Sequence, residues 1–142
     1  MAGSPSSAEQ DYLEAIEGLI ESKGYAKVVE IAEQLNLKGS SVTRMIQKLA
    51  RNGYLKYEKY RGVTMTESGR RTALEMKRRH QLLRNFLIEI GVDPKTADDD
   101  AEGMEHCASK KTLACLEMWL EKSRRYKLRR CFPNTRSRGG TG

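Results

Sequence analysis

The residues of this chain that are best suited to metal chemistry are Glu102, Glu105 and His106. On a helix, positions i, i+3 and i+4 lie on one face, so the spacing predicts that two carboxylates and an imidazole project together. Oxygen ligands beside an imidazole nitrogen suit a divalent ion of the manganese or iron type. A surface helix often carries such a triplet by chance, so a solvated acidic face is the alternative interpretation.

The composition is that of a small, reduced protein. A chain of 142 residues can bury one core, or two small cores that share a junction. No apolar run reaches the length of a membrane span, and we expect no secretory signal because the N-terminus lacks a basic flank followed by an apolar segment. Three cysteines without paired spacing indicate a cytoplasmic location.

Charge is distributed unevenly along the chain, although the net charge is +7. Residues 38–62 contain seven basic residues and one acidic residue, and residues 122–142 contain eight basic residues and no acidic residue. Residues 1–37 and 93–121 are acidic instead. A basic block suggests contact with phosphates, whereas the acidic segments suggest either cation binding or a solvated surface.

Residues 27–49 have the pattern of a helix-turn-helix. A short amphipathic helix and a glycine-containing turn precede a second helix that directs Val42, Ile46 and Leu49 inward. Two packed helices with a polar exterior would show the same pattern. The outward side chains of the second helix can donate to phosphates or base edges, and they comprise Ser40, Ser41, Thr43, Arg44, Gln47 and Lys48.

A basic hairpin follows this helix pair directly. Residues 54–58 and 62–66 alternate as two short strands, with Lys59 and Arg61 at the turn between them. A hairpin in this position is typical of a winged helix-turn-helix, in which the tip of the wing lies against the DNA backbone. Because the helix pair, the hairpin and the internal basic block coincide, the sequence predicts DNA binding.

Two flanking helices carry further titratable residues. A capping box at Ser6 and Glu9 predicts a first helix to about residue 22, with Asp11 and Glu14 across from its apolar stripe. A solvated acidic face would also explain those two carboxylates. A long helix after the hairpin places His80 on its apolar stripe, where a buried core histidine is the usual explanation.

The C-terminal part is predicted to contain two more helices and a tail. An Asp-Pro pair caps the first of them, and we expect that helix to run through Cys107. Met104 is expected to face the core on the stripe formed by Ala97, Ala101 and Ala108. The last helix is expected to end near Arg125, and residues 126–142 are predicted to be a disordered basic tail.

As a set, these motifs resemble the metal-dependent repressors of the diphtheria-toxin-repressor family, and in particular its manganese-transport-regulator branch. The resemblance implies a mostly α protein with a small β-hairpin wing. A winged helix-turn-helix DNA-binding domain (residues 1–70) would precede an all-α metal-binding and dimerisation domain (residues 71–125). The motifs that carry the resemblance are Asp11-Tyr12-x-Glu14, Ser40-Ser41-Val42-Thr43, the wing from Tyr57 to Gly62, His80, and Glu102-Gly103-Met104-Glu105-His106.

The resemblance also implies a metal site. Four carboxylates and two imidazoles would form an oxygen-rich shell for about two Mn²⁺ ions per protomer, with Fe²⁺, Zn²⁺ or Cd²⁺ as possible substitutes. Iron-responsive relatives have a methionine and a cysteine where this chain has Asp11 and Glu102. Carried over position by position, the ligands are Asp11, Glu14, His80, Glu102, Glu105 and His106.

The implied function is that of a cytoplasmic, homodimeric repressor, with no membrane contact and no enzymatic activity. Mn²⁺ would activate it to bind a palindromic operator in double-stranded DNA and so control manganese uptake genes. Three alternatives stay open: an iron- or zinc-responsive repressor of the same fold, a winged-helix regulator without metal, and a di-metal carboxylate oxidative enzyme. The enzyme would use paired Glu-x-x-His motifs, which this chain lacks. Cys107 and the basic tail depart from the family pattern.

Overall fold

The computed structural model describes residues 4–58 and 60–132, which form a mostly helical fold with one β-hairpin. The chain divides into two compact units, residues 1–79 and 80–142. The predicted fold class is confirmed. In chain order the elements are α1 (Ser7–Lys23), α2 (Val28–Leu35), α3 (Gly39–Arg51), β1 (Leu55–Glu58), β2 (Gly62–Met65), α4 (Glu67–Glu89), α5 (Pro94–Met104) and α6 (Lys110–Cys131).

Helix α1 begins and ends where its local signals predict. The Ser6 hydroxyl accepts a hydrogen bond from the backbone N–H of Glu9, and Glu9 Oε2 accepts one from the Ser6 N–H at 2.7 Å. At the other end, Gly24 takes up the left-handed conformation (φ +84°) that commonly ends a helix. The predicted apolar stripe is buried, including Leu13 and Ile16.

The core of the first unit joins α1 to the helix pair and the hairpin. Val42, Ile46 and Leu49 of α3 are buried in one cluster with Leu13 of α1 and Val63 of β2. The predicted inward face of α3 is therefore confirmed. Truncating such a side chain to alanine typically costs about 2–5 kcal/mol of stability, so the cluster fixes α3 relative to α1 and the hairpin.

The hairpin is anchored to the rest of the first unit by a close backbone contact. Strands β1 and β2 pair antiparallel, with Leu55 opposite Met65, and Val63 forms a further bridge with Ala26. Gly62 has φ +121°, and a Cβ there would lie 2.5 Å from the carbonyl oxygen of Ala26. Only glycine fits this position, because any side chain would push the hairpin away from Ala26.

We therefore expect Gly62→Ala to lower the free energy of unfolding by roughly 1–3 kcal/mol, through backbone strain and loss of the contact with Ala26. Gly18→Ala is a matched control, because Gly18 lies inside α1 and a Cβ there meets no atom within 4 Å. The control should stabilise the protein by roughly 0.5–1 kcal/mol. Urea denaturation measures both, and equal stability of the two variants would contradict this account of the hairpin.

The second unit is built on α4 from His80 onward, α5 and α6. Leu83, Ala101 and Leu113, one from each helix, form its buried apolar cluster. The ring of Phe86 meets that of Trp119 edge to face, with 5.5 Å between centroids. None of the described helices is long and apolar enough to cross a membrane.

Two helix ends differ from the predicted ones. Helix α5 ends at Met104 instead of running through Cys107, because the backbone tightens there and the Cys107 N–H donates to the carbonyl of Met104 at 3.0 Å. Met104 is 40% exposed at this helix end, so its predicted core position is wrong, although Ala97 and Ala101 are buried as predicted.

Helix α6 ends at Cys131, six residues beyond the predicted end at Arg125. Residues 126–131, predicted to be disordered, are therefore helical. They consist mainly of arginine, lysine and leucine, which favour helix formation, and the chain has neither glycine nor proline between Gly103 and Pro133. The rest of the predicted tail, residues 133–142, lies outside the described residues.

Candidate functional site

A buried glutamate lies between two histidines in the second unit. Glu105 is only 1% exposed. Its Oε2 lies 3.0 Å from His80 Nδ1, and its Oε1 lies 3.6 Å from His106 Nε2. Helix α4 supplies His80, and the turn that follows α5 supplies the other two residues. Of the four predicted ligands that lie in the second unit, the structure thus brings three together.

A fourth residue, which the sequence did not single out, also contacts this group. His80 Nε2 lies 3.1 Å from Asp98 Oδ1, and the same oxygen lies 2.9 Å from Arg84 Nε. Asp98 is on α5, four residues before Glu102, so both occupy one face of the helix. The four-residue spacing from Glu102, a predicted ligand, is the sequence feature that could have identified Asp98.

The charges around His80 explain the direction of its pKa shift. Burial lowers the pKa of His80, but the hydrogen bond with Asp98 and the charge of Glu105 raise it by more, so the pKa lies above the ordinary value. The bond with His80 in turn holds the pKa of Asp98 below its usual range. A protonated His80 would supply the positive charge that a buried carboxylate requires.

The chemistry of this group fits a divalent cation. A buried carboxylate with an imidazole nitrogen near each of its oxygens combines the O and N donors that such ions prefer. Neutral imidazoles are needed for ligation, so a bound cation would replace the proton on His80 and supply the positive charge itself. Glu105, His80 and His106 are the residues in this unit that would hold it.

The remaining predicted ligands are Glu102 in the second unit and Asp11 and Glu14 in the first. Glu102 is exposed on α5 and forms no ion pair with another described residue. In the first unit, Asp11 is exposed and Glu14 is half-buried, three residues apart on α1 and away from its buried stripe. Membership of these three carboxylates in the metal site stays a prediction.

The side of α3 opposite its buried face carries the predicted DNA-contacting residues, and all six are exposed. The side chains of Arg44 and Gln47 form no hydrogen bond or ion pair with a described residue. The Thr43 hydroxyl donates to the carbonyl of Gly39 at 2.9 Å. The predicted exposure of all six residues is observed, and their contact with DNA stays a prediction. These residues are Ser40, Ser41, Thr43, Arg44, Gln47 and Lys48.

The N-terminus of α3 is arranged to accept an anion. Lys38 precedes the helix, and no side chain among the described residues caps the first backbone N–H groups. Uncapped N–H groups and the positive end of the helix dipole favour a phosphate. The hydroxyls of Ser40 and Ser41 lie in this first turn and can donate to the same anion.

Lys48 has an intramolecular partner that the sequence did not reveal. Its ammonium lies 3.0 Å from Oε1 of Glu9, which is 5% exposed at the start of α1. The backbone N–H of Ser6 lowers the pKa of Glu9 most, burial opposes this, and Lys48 lowers it further. Glu9 thus caps α1 and also holds Lys48 of α3.

The tip of the wing is only partly described. Lys59, a predicted DNA contact, lies outside the described residues. Arg61 is exposed and lies 3.7 Å from Glu58, a distance at which a surface ion pair contributes little stability. The ring of Tyr60 is 94% exposed. Arg61 is therefore available to a phosphate, and its contact with DNA stays a prediction.

Two family models match this chain consecutively. The iron dependent repressor N-terminal DNA binding domain matches residues 6–63. The iron dependent repressor metal binding and dimerisation domain matches residues 66–127. The chain belongs to the iron dependent repressor family. The family resemblance inferred from the motifs is confirmed.

Curated relatives of this family member are similar to it over most of their length. The HTH-type transcriptional regulator MntR of Lysinibacillus sphaericus is 49% identical over 102 residues, which cover 72% of this chain and 73% of that protein. The protein of the same name from Oceanobacillus iheyensis is 50% identical over 102 residues, covering 72% of this chain and 69% of the relative.

Solved structures of similar fold include regulators with bound metal. A manganese-dependent transcriptional repressor in complex with manganese has a TM-score of 0.70 and 37% identity, covering 79% of this chain and 52% of that one. ScaR with bound Zn²⁺ has a TM-score of 0.71 and 26% identity, covering 80% and 53%. The hypothetical protein SSo2273 from Sulfolobus solfataricus has a TM-score of 0.69 and 28% identity, covering 83% and 91%.

Proposed function

We propose that this member of the iron dependent repressor family is a Mn²⁺-activated transcriptional repressor that controls manganese uptake. It acts in the cytoplasm as a homodimer on a palindromic operator, and it is not an enzyme. The observation that carries the proposal is the buried Glu105 carboxylate, which faces His80 on one side and His106 on the other. A name shared by the curated relatives, MntR, supports the manganese response.

In this mechanism all six predicted residues ligate about two Mn²⁺ ions per protomer. Four carboxylates repel one another in the absence of cations, and the metal supplies the positive charge that removes this repulsion. Asp11 and Glu14 belong to α1, which shares the buried core of the first unit with α3. Ligation by α1 would therefore set the orientation of α3 and, in a dimer, the spacing of the two recognition helices.

The metal preference follows from the donors. Manganese binds more weakly than iron, zinc or copper to a given set of ligands, so an oxygen-rich shell and cellular availability must provide the selectivity. ScaR has been solved with Zn²⁺ and with Cd²⁺, which supports these ions as substitutes here. The second candidate is an iron- or zinc-responsive repressor of the same fold, and the exposed Cys107, next to His106, favours its zinc form because a thiolate suits zinc.

Operator binding by the wild-type protein, titrated in chelator and in Mn²⁺, tests the proposal. We expect Mn²⁺ to tighten binding by about 5–150-fold, the usual range of coupling between two sites. Equal affinity in the two conditions would rule out activation by metal. Parallel titrations with Fe²⁺ and Zn²⁺ identify the metal to which the protein responds. A larger increase in operator affinity with either ion at its physiological concentration would favour the second candidate. Oxidase activity with bound metal would support the enzyme alternative instead.

A further inference from the structure

Because α6 extends to Cys131, the basic side chains near its end have fixed positions on a helix, which they would not have in a disordered tail. Residues 122–130 contain six basic residues and no acidic residue. Lys122, Arg125 and Arg129 occupy positions i, i+3 and i+7, so they lie along one side of the helix. These three residues are referred to below as the basic row.

The basic row faces solvent. The opposite side of α6 packs against α4, where the Ser123 hydroxyl donates to Glu89 at 2.7 Å and Lys127 Nζ lies 2.6 Å from Glu89 Oε1. All three members of the row are exposed, and none forms an ion pair with another described residue. The row is therefore unneutralised positive charge within the part of the chain that the structure describes.

Helix stability does not account for this row. The helix dipole favours cations only in the last turn, so it explains Arg129 but not Lys122 or Arg125. Like charges at i, i+3 and i, i+4 repel each other and destabilise an isolated helix. An anionic partner would relieve that repulsion.

We propose that the basic row binds the phosphate backbone of duplex DNA, independently of base sequence, as a contact additional to the winged helix. The row extends along about 10 Å of helix axis, at about 1.5 Å per residue. Duplex DNA presents one phosphate charge per about 1.7 Å, so the row meets several phosphates over that length. This inference extends the DNA-binding function proposed above and rests on it.

The packing of α6 favours nucleic acid over a membrane surface. A helix that lies on a membrane needs a broad apolar face opposite its basic face. Here the face opposite the row is occupied by α4 through Ser123 and Lys127.

The test compares full-length wild type with the Arg125→Gln/Arg129→Gln variant, each with Mn²⁺, on an operator duplex and on a non-operator duplex of equal length. Affinities are measured between about 50 and 200 mM salt, where phosphate contacts dominate the salt dependence. We expect the slope of log K against log salt to become shallower by about 2 on both duplexes, since each lost phosphate contact contributes about 0.9. The ratio of operator to non-operator affinity should not change.

Two control variants distinguish an effect of the charge in the row from an effect of net charge and from an effect of substitution at these positions. Lys110→Gln/Lys111→Gln removes the same charge at the other end of α6 and should leave the slope unchanged. Arg125→Lys/Arg129→Lys keeps the charge and should also retain the wild-type slope. An unchanged slope in the glutamine variant of the row, or an equal loss in the Lys110 and Lys111 variant, would overturn the inference.

The outcomes also separate this inference from the proposed function. If wild type prefers the operator but the row variant keeps its slope, only the inference on α6 fails. If wild type shows no preference for the operator, the proposed function fails. A row variant that loses binding to phosphatidylserine vesicles but not to DNA would assign the row to a membrane surface and overturn the proposal.

Discussion

The Glu105→Gln variant should lose the Mn²⁺-dependent rise in melting temperature that wild type shows. Metal that binds only the folded state stabilises it by about 2.7 kcal/mol at a hundredfold excess over Kd. For a chain of this size that corresponds to a rise on the order of 10 °C. Glutamine has nearly the shape of glutamate but lacks its charge, so it removes the buried anion between His80 and His106 while preserving the packing.

The same variant, and His106→Ala, should bind the operator equally well in chelator and in Mn²⁺. Asp100→Asn is the matched control, because Asp100 is an exposed acidic residue of α5 that forms no ion pair with another described residue. That variant should retain both the thermal shift and the metal response. Circular dichroism of the metal-free variants checks that they are folded. Full Mn²⁺ activation of Glu105→Gln would show that the metal site lies elsewhere.

The N-terminal elements could be predicted because each carries a local signal. The capping box at Ser6 and the glycine at position 24 fix both ends of α1. The apolar spacing of Val42, Ile46 and Leu49 identifies the buried side of α3, and therefore also its exposed side. Such signals depend on a few neighbouring residues and do not require knowledge of the tertiary structure.

The burial of Glu105 could not be predicted in this way. Helical spacing makes Glu102 and Glu105 equivalent, yet one is exposed and the other is buried. The difference arises because α5 ends at Met104 and because His80, from another helix, lies 3.0 Å from the Glu105 carboxylate and gives it a polar partner. Local patterns do not contain that partner. The Lys48–Glu9 pair escaped prediction for the same reason.

The end of α6 was misjudged because two sequence properties conflicted. A run of cations without acidic residues indicates disorder, through low hydrophobicity and high net charge. The same arginine, lysine and leucine residues favour helix formation. The contacts of Ser123 and Lys127 with Glu89 attach the helix to α4 and help decide the outcome. The tail prediction gave too much weight to charge.

Arg44→Ala and Gln47→Ala should each weaken operator binding by roughly 5–150-fold, which corresponds to about 1–3 kcal/mol for a base-edge contact. Both residues are exposed on α3 and their side chains form no hydrogen bond or ion pair with a described residue, so their loss should leave the fold intact. Surface substitutions of this kind change stability by only about 0.5 kcal/mol. A loss of affinity can therefore be assigned to the DNA contact.

The specificity of the effect distinguishes base recognition from general charge. Loss of a base contact should relax the preference at one operator position, which is measured with operators mutated one base pair at a time. Arg71→Ala is the control for Arg44→Ala, because Arg71 is exposed at the start of α4 and pairs only weakly with Glu67 at 3.4 Å. That change should affect all sequences alike and only slightly. If Arg44→Ala and Gln47→Ala retain wild-type affinity and preference, α3 does not present this face to the bases, and the assignment of the recognition surface is wrong.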